Sequence, residues 1–201
     1  MRKLIQDALI LCIITLTAGA LLASVYEITK EPIRMQGVLK QQRACQDVFA
    51  SATSFEEKSE LILLAQEEVN KDGFTMEIID NVLLAKDEEN KTLGYVFQIT
   101  EKDGYGGDIV FMVGIQNDGT VNGISILSID ETPGLGMNAK EDTFKSQFNN
   151  KKVNLFTYTK TGSTSSSEID AISGATVTTK AIVNGVNASI SAFNNLVEEG
   201  Q

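Results

Sequence analysis

The chain contains no histidine and no tryptophan, and its 201 residues include two cysteines and two prolines. Without histidine it lacks the commonest general base and the commonest ligand of transition metals in proteins. Cys12 and Cys45 stand too far apart in the sequence to form a thiolate cage, and Cys12 lies in an apolar run. We therefore expect no metal site, no disulfide and no catalytic side chain. Any redox or group-transfer chemistry has to come from a cofactor.

Positive charge is also scarce, because 17 Lys and Arg residues stand against 27 Asp and Glu residues and give a formal net charge of −10. Binding to nucleic acid needs clustered Lys and Arg, so no nucleic-acid partner is expected. The acidic runs Glu67-Glu68 and Asp87–Glu89 are typical of solvated surfaces. Hydrophobic residues make up 42% of the chain, which suffices for one folded domain beyond a membrane segment.

One long apolar run lies near the N-terminus. Ala8–Val25 contains 18 uncharged residues, and extended back to Leu4 it can cross a bilayer core of about 30 Å as a helix. Arg2 and Lys3 precede the run, so the positive-inside rule predicts a cytoplasmic N-terminus and an extracytoplasmic main domain. The sequence thus predicts a single-pass protein of the cytoplasmic (inner) cell membrane.

A cleaved signal peptide is the alternative for the same run. Ala18-Gly19-Ala20 resembles a small-residue cleavage site. The run continues beyond this site to Val25, however, and exceeds the ~7–15 apolar residues of a signal-peptide core. We favour a retained anchor, and both alternatives export the rest of the chain.

Helical patterns dominate the first part of the chain. Pro32 suits the first turn of a helix, and an apolar stripe extends that helix to about Ala50. A second helix is predicted from about Glu56 to Asn70. The predicted organisation is a cytoplasmic stub with a membrane helix, a helical connector and one extracytoplasmic folded domain, at residues 1–30, 31–72 and 73–201.

After Gly73 the pattern changes to strands and turns. Asn117-Asp118-Gly119-Thr120 is a hairpin signal between two apolar runs, so an antiparallel pair is predicted there. A short helix with Phe144 and Phe148, an exposed loop at 157–167 and an amphipathic helix from about Thr178 follow. The fold class is therefore α+β, with one antiparallel sheet and packing helices. The predicted strands are Met76–Ala85, Thr92–Thr100, Ile109–Ile115 and Val121–Ser128.

The segment Asp170–Thr178 carries the most chemical information. Gly174 and Ala175 allow the backbone to approach a bulky ligand, and a helix is predicted to begin directly after them. The free N–H groups and the positive dipole end of a helix N-terminus favour a phosphate. A threonine hydroxyl at this place either caps the helix or is esterified, and the pattern alone leaves both open.

The same segment, with Asp170, Ser173, Gly174, Ala175 and Thr176 at the matching positions, resembles the flavinylation motif of the FMN-binding domain family. In that family a flavin transferase, which depends on FAD and magnesium, joins FMN to the last threonine of the motif through a phosphoester. The resemblance implies covalent FMN on Thr176, with Ser173, Gly174, Ala175 and also Thr178 around it. It implies for Asp170 a role in recognition by the transferase, with a structural turn cap as the alternative.

Two further segments resemble the same family in the expected order. Gly104-Tyr105-Gly106-Gly107 resembles its glycine-rich turn, although the four residues alone would indicate only a turn. Glu131–Gly136, with the sequence Glu-Thr-Pro-Gly-Leu-Gly, resembles a loop that lies against the flavin. The flavin-binding residues implied by these segments are Gly106, Gly107, Glu131, Thr132, Pro133, Gly134, Leu135 and Gly136.

Over nearly its whole length the chain resembles the G-subunit family of Rnf complexes, which couple electron transfer between ferredoxin and NAD to ion movement across a membrane. The resemblance implies an electron-relay protein whose residues 73–201 are an FMN-binding domain. It implies other membrane proteins of such a complex as partners and the flavin transferase as a transient one.

Three alternatives stay open. The C subunit of the sodium-pumping NADH:quinone reductase shares the anchor and the motif, so membership of such a reductase is the first. The second is a stand-alone extracytoplasmic flavoprotein reductase. The third is a non-enzymatic surface-binding module in which Thr176 caps a helix.

Overall fold

The computed structural model describes residues 1–199 of the chain. These residues form two compact units, one of residues 1–41 and one that starts at Gln42. Helix α1, Arg2–Val48, makes up nearly all of the first unit and provides the first element of the second.

The first unit is a helix with exposed apolar side chains. Among the described residues, α1 is the one helix long and apolar enough to cross a membrane. The hydroxyl groups in its apolar stretch donate to backbone carbonyls one turn earlier, which suits them to a surrounding without water. The bonds are Thr15 Oγ1 to Leu11 O at 3.0 Å, Thr17 Oγ1 to Ile13 O at 2.9 Å and Ser24 Oγ to Ala20 O at 2.8 Å.

The expected start of a new helix at Pro32 is wrong, because α1 runs through this residue without ending. Proline has no N–H, so the helix lacks one backbone hydrogen bond at this point. The long flanking helical sequence, which contains no glycine between Gly19 and Gly37, compensates for that loss.

A five-stranded antiparallel sheet forms the centre of the second unit. Its strand order is β1-β2-β3-β4-β5, so each strand pairs with its neighbour in sequence. The predicted hairpin is confirmed, since the strands on either side of Asn117–Thr120 pair with Gly114 opposite Gly123. The strands are β1 Ser54–Glu57, β2 Glu77–Lys86, β3 Thr92–Glu101, β4 Ile109–Gln116 and β5 Val121–Ile129.

Two helices cover one face of the sheet. Helix α2, Ser59–Lys71, packs on β2, and the C-terminal helix, Thr176–Glu199, packs on α2, β3 and β4. The apolar stripe of the C-terminal helix is buried there, as its amphipathic pattern predicts. Successive side chains of a strand point to opposite faces of the sheet, and the apolar side chains on the helix-covered face form the other half of this core. Its largest fully buried side chains include Phe97, Ile99, Phe111 and Ile115 from the sheet and Ile182 from the helix.

The last turn of α1 and the residues that follow it cover the opposite face. Cys45, Val48 and Phe49 pack against Val96 and other alternate residues of the strands. Burial raises the pKa of the Cys45 thiol to about 11 and makes it unreactive. Both cysteines are free, as expected.

Shorter elements connect β5 to the C-terminal helix. A 3-10 helix at Gly136–Lys140 is followed by helix α3, Asp142–Lys145, and a second 3-10 helix at Ser146–Phe148. Strands β6, Thr157–Thr159, and β7, Glu168–Asp170, then form a parallel pair, and the C-terminal helix follows as α4. The α+β fold class is confirmed, and so is the helix predicted at about Glu56–Asn70, although it begins only at Ser59, after strand β1. The exposed loop predicted at 157–167 is partly wrong, because it begins with a strand.

Candidate functional site

Three segments that are distant in sequence meet at one cleft of the second unit. They are the turn Gly104–Gly107 before β4, the loop Glu131–Gly136 after β5 and the N-terminus of α4. The cleft has a volume of about 570 Å³. It is lined by Tyr105, Glu131, Thr132, Leu135, Gly136, Gly174, Ala175, Thr176, Val177 and Thr178.

A tight turn places the start of α4 at the floor of this cleft. The Ala175 N–H donates to Ile172 O at 2.9 Å, and Gly174 has a φ of +74°, which favours glycine. Thr179 closes the turn, because its Oγ1 accepts from the Ile172 N–H at 3.0 Å and donates to Ala175 O at 2.9 Å. Thr179 is fully buried, so these two hydrogen bonds are shielded from water.

The first N–H groups of α4 are free to bind an anion. The first helical bond runs from the Thr179 N–H to Ala175 O at 3.0 Å. Within residues 1–199, no protein group accepts a hydrogen bond from the N–H of Thr176, Val177 or Thr178. The Thr176 side chain is half-buried, and its hydroxyl makes no hydrogen bond to the described part of the chain. The structure therefore gives no sign of the helix cap that was the alternative role for Thr176.

Glu131 joins the turn to the loop. Its side chain is buried, and its Oε1 accepts a hydrogen bond from the Tyr105 N–H at 2.8 Å. On the other side it lies against Gly136, where an added Cβ would come within 2.7 Å of the Glu131 Cβ and of Thr178 Oγ1. Only glycine fits at position 136 without displacing both side chains.

Three apolar side chains of the cleft are exposed. Tyr105, Leu135 and Val177 have exposed fractions of 75%, 40% and 48%. The loop that presents Leu135 is held by its own backbone, since Thr132 O accepts from the Leu135 N–H at 3.1 Å and the Met137 N–H at 3.3 Å. The cleft thus combines an anion-binding end with an apolar rim.

Several of the predicted site residues do not line the cleft. Gly106 packs so closely on the segment behind it that an added Cβ would lie 2.1 Å from Asp130 O. A Cβ added at Gly134 would meet no atom within 4 Å, but the residue has a φ of +76°. The other residues in this group are Gly107, Pro133, Ser173 and Asp170, none of which lines the cleft.

Asp170 has a structural function in this state of the chain. Its carboxylate accepts hydrogen bonds from the Ser163 N–H at 2.5 Å and the Ser163 Oγ at 3.2 Å. Its backbone N–H donates to Gln147 Oε1 at 2.6 Å. The side chain therefore caps the loop between β6 and β7, one of the two roles considered for it.

Sequence patterns indicate the three segments but miss some of the residues that matter within them. Tyr105 and Val177 line the cleft although only their neighbours are predicted to bind the flavin. The role of Thr179 depends on the turn geometry, which the sequence does not show. A signal for Tyr105 is present, since an aromatic residue within a glycine-rich turn is well placed to contact a ligand.

Comparison with known proteins gives the class of this domain. Residues 104–191, which contain all three segments, match the sequence model of the FMN-binding domain family. The fold resembles the C subunit of the Na⁺-translocating NADH-quinone reductase from Parabacteroides distasonis, with a TM-score of 0.56, 18% identity, and coverage of 82% of this chain and 95% of that one. The prediction of FMN as the cofactor is confirmed at the level of the domain family.

Two relatives extend the comparison beyond the domain. The G subunit of the Na⁺-translocating ferredoxin:NAD⁺ oxidoreductase complex of Acetobacterium woodii is 32% identical over 200 residues, which cover 94% of this chain and 90% of the relative. The G subunit of the proton-translocating complex of Clostridium ljungdahlii is 43% identical over 106 residues, which are 53% of this chain and 56% of the relative. The chain belongs to the G-subunit family of ion-translocating oxidoreductase complexes.

The residues of the cleft fit FMN. Three free N–H groups at a helix N-terminus suit its phosphate. The absence of a Cβ at Gly136 keeps open the space beside Glu131 and Thr178. The exposed apolar rim of Tyr105, Leu135 and Val177 offers surface for a flat ring system.

Proposed function

We propose that the chain is the electron-relay subunit of a membrane-bound, ion-translocating ferredoxin:NAD⁺ oxidoreductase complex, with FMN attached covalently to Thr176. The single observation that supports it most is the position of Thr176, whose hydroxyl has no partner among residues 1–199 and stands at the open N-terminus of α4. The reaction proposed for the complex is taken from the names of two relatives, which are subunits of ion-translocating ferredoxin:NAD⁺ oxidoreductase complexes. The other subunits of such a complex are the proposed partners.

The attachment reaction needs a second protein. A flavin transferase breaks the phosphoanhydride bond of FAD, joins the FMN phosphate to Thr176 Oγ1 and releases AMP, while the hydroxyl proton leaves to solvent or to the transferase. The new phosphodiester carries about one negative charge instead of nearly two, so it costs less to hold in a partly buried site. The free N–H groups of Thr176, Val177 and Thr178 would stabilise this remaining charge.

The bound FMN supplies the redox chemistry, because a flavin exchanges electrons one or two at a time. The chain's own residues hold, orient and shield it. Glu131 fixes the loop relative to the Tyr105 turn, and the apolar rim would cover part of the ring and exclude water from it. Electron transfer requires no nucleophile and no histidine base, in agreement with the composition of the chain.

The proposed location is the cytoplasmic membrane, with α1 as the anchor and the domain outside. The apolar segment of α1 and the internally bonded hydroxyls within it support a spanning helix. The basic residues Arg2 and Lys3 support a cytoplasmic N-terminus.

A place in a sodium-pumping NADH:quinone reductase is the second candidate function. The similarity of fold to the C subunit of such a reductase favours it.

The test uses the full chain produced with and without a flavin transferase. After denaturing electrophoresis, the protein made with the transferase should fluoresce under ultraviolet light and gain the mass of FMN less one water. Thr176→Ala should lose both signals because it has no oxygen to esterify. The matched control is Thr143→Ala, which removes an exposed threonine hydroxyl outside the cleft lining and should keep the covalent flavin. Fluorescence of the Thr176→Ala band would refute the assignment.

Purification from the native membrane tests the partners. Tagged full-length chain should copurify with the other subunits of an oxidoreductase complex, and the complex should transfer electrons from reduced ferredoxin to NAD⁺. Transfer from NADH to a quinone instead would support the second candidate. A chain that carries flavin but purifies alone would indicate a stand-alone reductase.

A further inference from the structure

Two glutamates are buried together next to the cleft and have no part in the function proposed above. Glu101 is fully buried at the end of β3, and Glu77, at the start of β2, has an exposed fraction of 3%. The register of the sheet places the two residues directly opposite each other. Directly opposed side chains in an antiparallel pair are close neighbours, so two negative charges there would repel each other.

The hydrogen bonds of the pair leave one buried carboxyl oxygen, Glu101 Oε2, without a partner in the described part of the chain, and this oxygen can carry a proton. Glu77 Oε2 accepts from the Met76 N–H at 3.0 Å, and Glu101 Oε1 accepts from the Asp103 N–H at 2.9 Å. Glu101 Oε2 is the one buried side-chain oxygen or nitrogen among the described residues that lacks a hydrogen-bond partner. When this oxygen carries a proton it becomes a donor, and the facing Glu77 carboxylate is an acceptor for it.

The charges around the pair favour that neutral form. Burial raises the pKa of Glu101 to about 8, and the negative charges of Glu77 and Asp103 add to the effect, against the opposing hydrogen bond from the Asp103 N–H. The neighbouring cation, Lys102, is bound to Asp108 at 2.5 Å. The raised pKa therefore favours the protonated form of Glu101 at neutral pH.

The turn above the pair connects it to the cleft. Glu101 holds the Asp103 N–H at one end of a three-residue segment, and Glu131 holds the Tyr105 N–H at the other. Between them, Gly104 is packed so tightly that an added Cβ would lie 2.1 Å from Gly107 O and 3.2 Å from Glu131 Oε1. This segment thus connects the Glu101 carboxyl to Tyr105 and Glu131, which line the cleft.

We infer that Glu101 is a positioning residue for the flavin cleft, which in its neutral form, bonded to Glu77, fixes the Asp103–Tyr105 turn against Glu131. Ionisation of Glu101 adds a negative charge under this turn and breaks the bond to Glu77, so the carboxyl that accepts from the Asp103 N–H is no longer held in place. The added charge disfavours uptake of electrons by a flavin in the cleft, so the flavin potential falls when the proton is lost. The effect on the flavin rests on the function proposed above, whereas the effect on the turn does not.

The first experiment needs no flavin. The full chain is made without the transferase, in detergent, with ¹³C at the carbonyl carbon of tyrosine, and gives at most four signals because the sequence has four tyrosines. A Tyr105→Phe variant identifies the Tyr105 signal. In the wild type this signal should move with a midpoint near pH 8, the pKa of Glu101.

Variants show which residue causes the pH-dependent shift of the Tyr105 signal. Glu101→Gln, which stays neutral and keeps an acceptor for the Asp103 N–H and a donor for Glu77, should abolish it. Glu77→Gln removes the facing charge and should lower the midpoint, which gives a second test if Glu101→Gln does not fold. The control Glu88→Gln makes the same chemical replacement at an exposed position outside the pair and should leave the transition in place. A wild-type signal without a transition between pH 6 and 9, or a transition that survives in Glu101→Gln, would overturn the inference.

The second experiment measures the midpoint potential of the flavinylated full chain between pH 6 and 9. The potential of the wild type should fall below that of Glu101→Gln as the pH passes 8, with Glu88→Gln following the wild type. Identical pH dependences of wild type and Glu101→Gln would refute the effect on the flavin even if the Tyr105 signal titrates. A chain that acquires no flavin would instead contradict the proposed function and leave the first experiment valid.

Discussion

Replacement of Glu101 by glutamine should stabilise the domain, and by more as the pH rises. The pKa of Glu101 is about 8 in the folded chain against an ordinary value of 4.5. Between these two pH values the folded state keeps a proton that the unfolded state has released. Each unit of pKa difference corresponds to ~1.36 kcal/mol, so the wild type should lose about 1.4 kcal/mol of unfolding free energy per pH unit across this window.

The total loss of unfolding free energy at pH 7 follows from the same pKa difference. From pH 4.5 to pH 7 the loss accumulates to roughly 3 kcal/mol, a large part of the ~5–15 kcal/mol stability of a typical domain. Glutamine has nearly the same shape and does not ionise, so Glu101→Gln removes this loss. Above pH 8 the folded wild type has also ionised, and the difference between the two proteins should level off.

The assay is urea denaturation of the full chain in detergent at about pH 5, 6, 7 and 8, followed by circular dichroism because the chain has no tryptophan. The groups whose pKa is lowered, Glu56, Asp118 and Glu168, titrate below this range and leave the comparison unaffected. Equal slopes of unfolding free energy against pH for the wild type and Glu101→Gln would refute the reasoning. Glu88→Gln, in the turn between β2 and β3, should keep the wild-type slope.

Three further predictions concern the cleft and the membrane topology. Gly136→Ala should cost about 1–3 kcal/mol and reduce flavin attachment, measured by thermal melting and gel fluorescence, because its Cβ would lie 2.7 Å from the Glu131 Cβ and from Thr178 Oγ1. Gly134→Val, at a φ of +76°, should keep covalent flavin but change its visible spectrum or potential; an unchanged spectrum and potential would make this part of the loop merely structural. In intact cells stripped of any outer membrane, an impermeant thiol reagent should label Ser165→Cys but not the buried Cys45. Labelling of Ser165→Cys only after lysis would overturn the extracytoplasmic assignment.

The strands can be predicted from the sequence to within one or two residues because alternation and turn chemistry agree along them. The turn Asn117–Thr120 is an example, since Asp118 Oδ1 accepts from the Thr120 N–H at 2.9 Å and Gly119 has a φ of +85°. The edge strand Ser54–Glu57 escapes such a prediction because its polar residues have no strand pattern of their own. Its conformation is set by pairing with β2, a contact between distant residues.

The cleft can be predicted as three motifs but not as a set of contacts. Thr176 and its small neighbours are recognisable through their resemblance to the flavinylation motif, since the residue types alone would equally suit a helix cap. The bond between Glu131 and the Tyr105 N–H depends on the return of β5 alongside β4. Glu101 gives no signal at all, because a glutamate followed by Lys102 and Asp103 has the pattern of a solvated turn, and only the register with Glu77 shows that it is buried.

Because the cleft is built from three distant segments, the proposed flavin attachment would depend on a completely synthesised and folded chain. The turn and the loop belong to a sheet of sequential hairpins, which can form while the chain is still growing. Thr176, the proposed acceptor, begins α4, so the N–H groups around it are arranged only after α4 has packed on the sheet. A chain truncated within α4 would present the motif without the cleft. Proteins that carry the cofactor would then be those whose synthesis and folding had been finished.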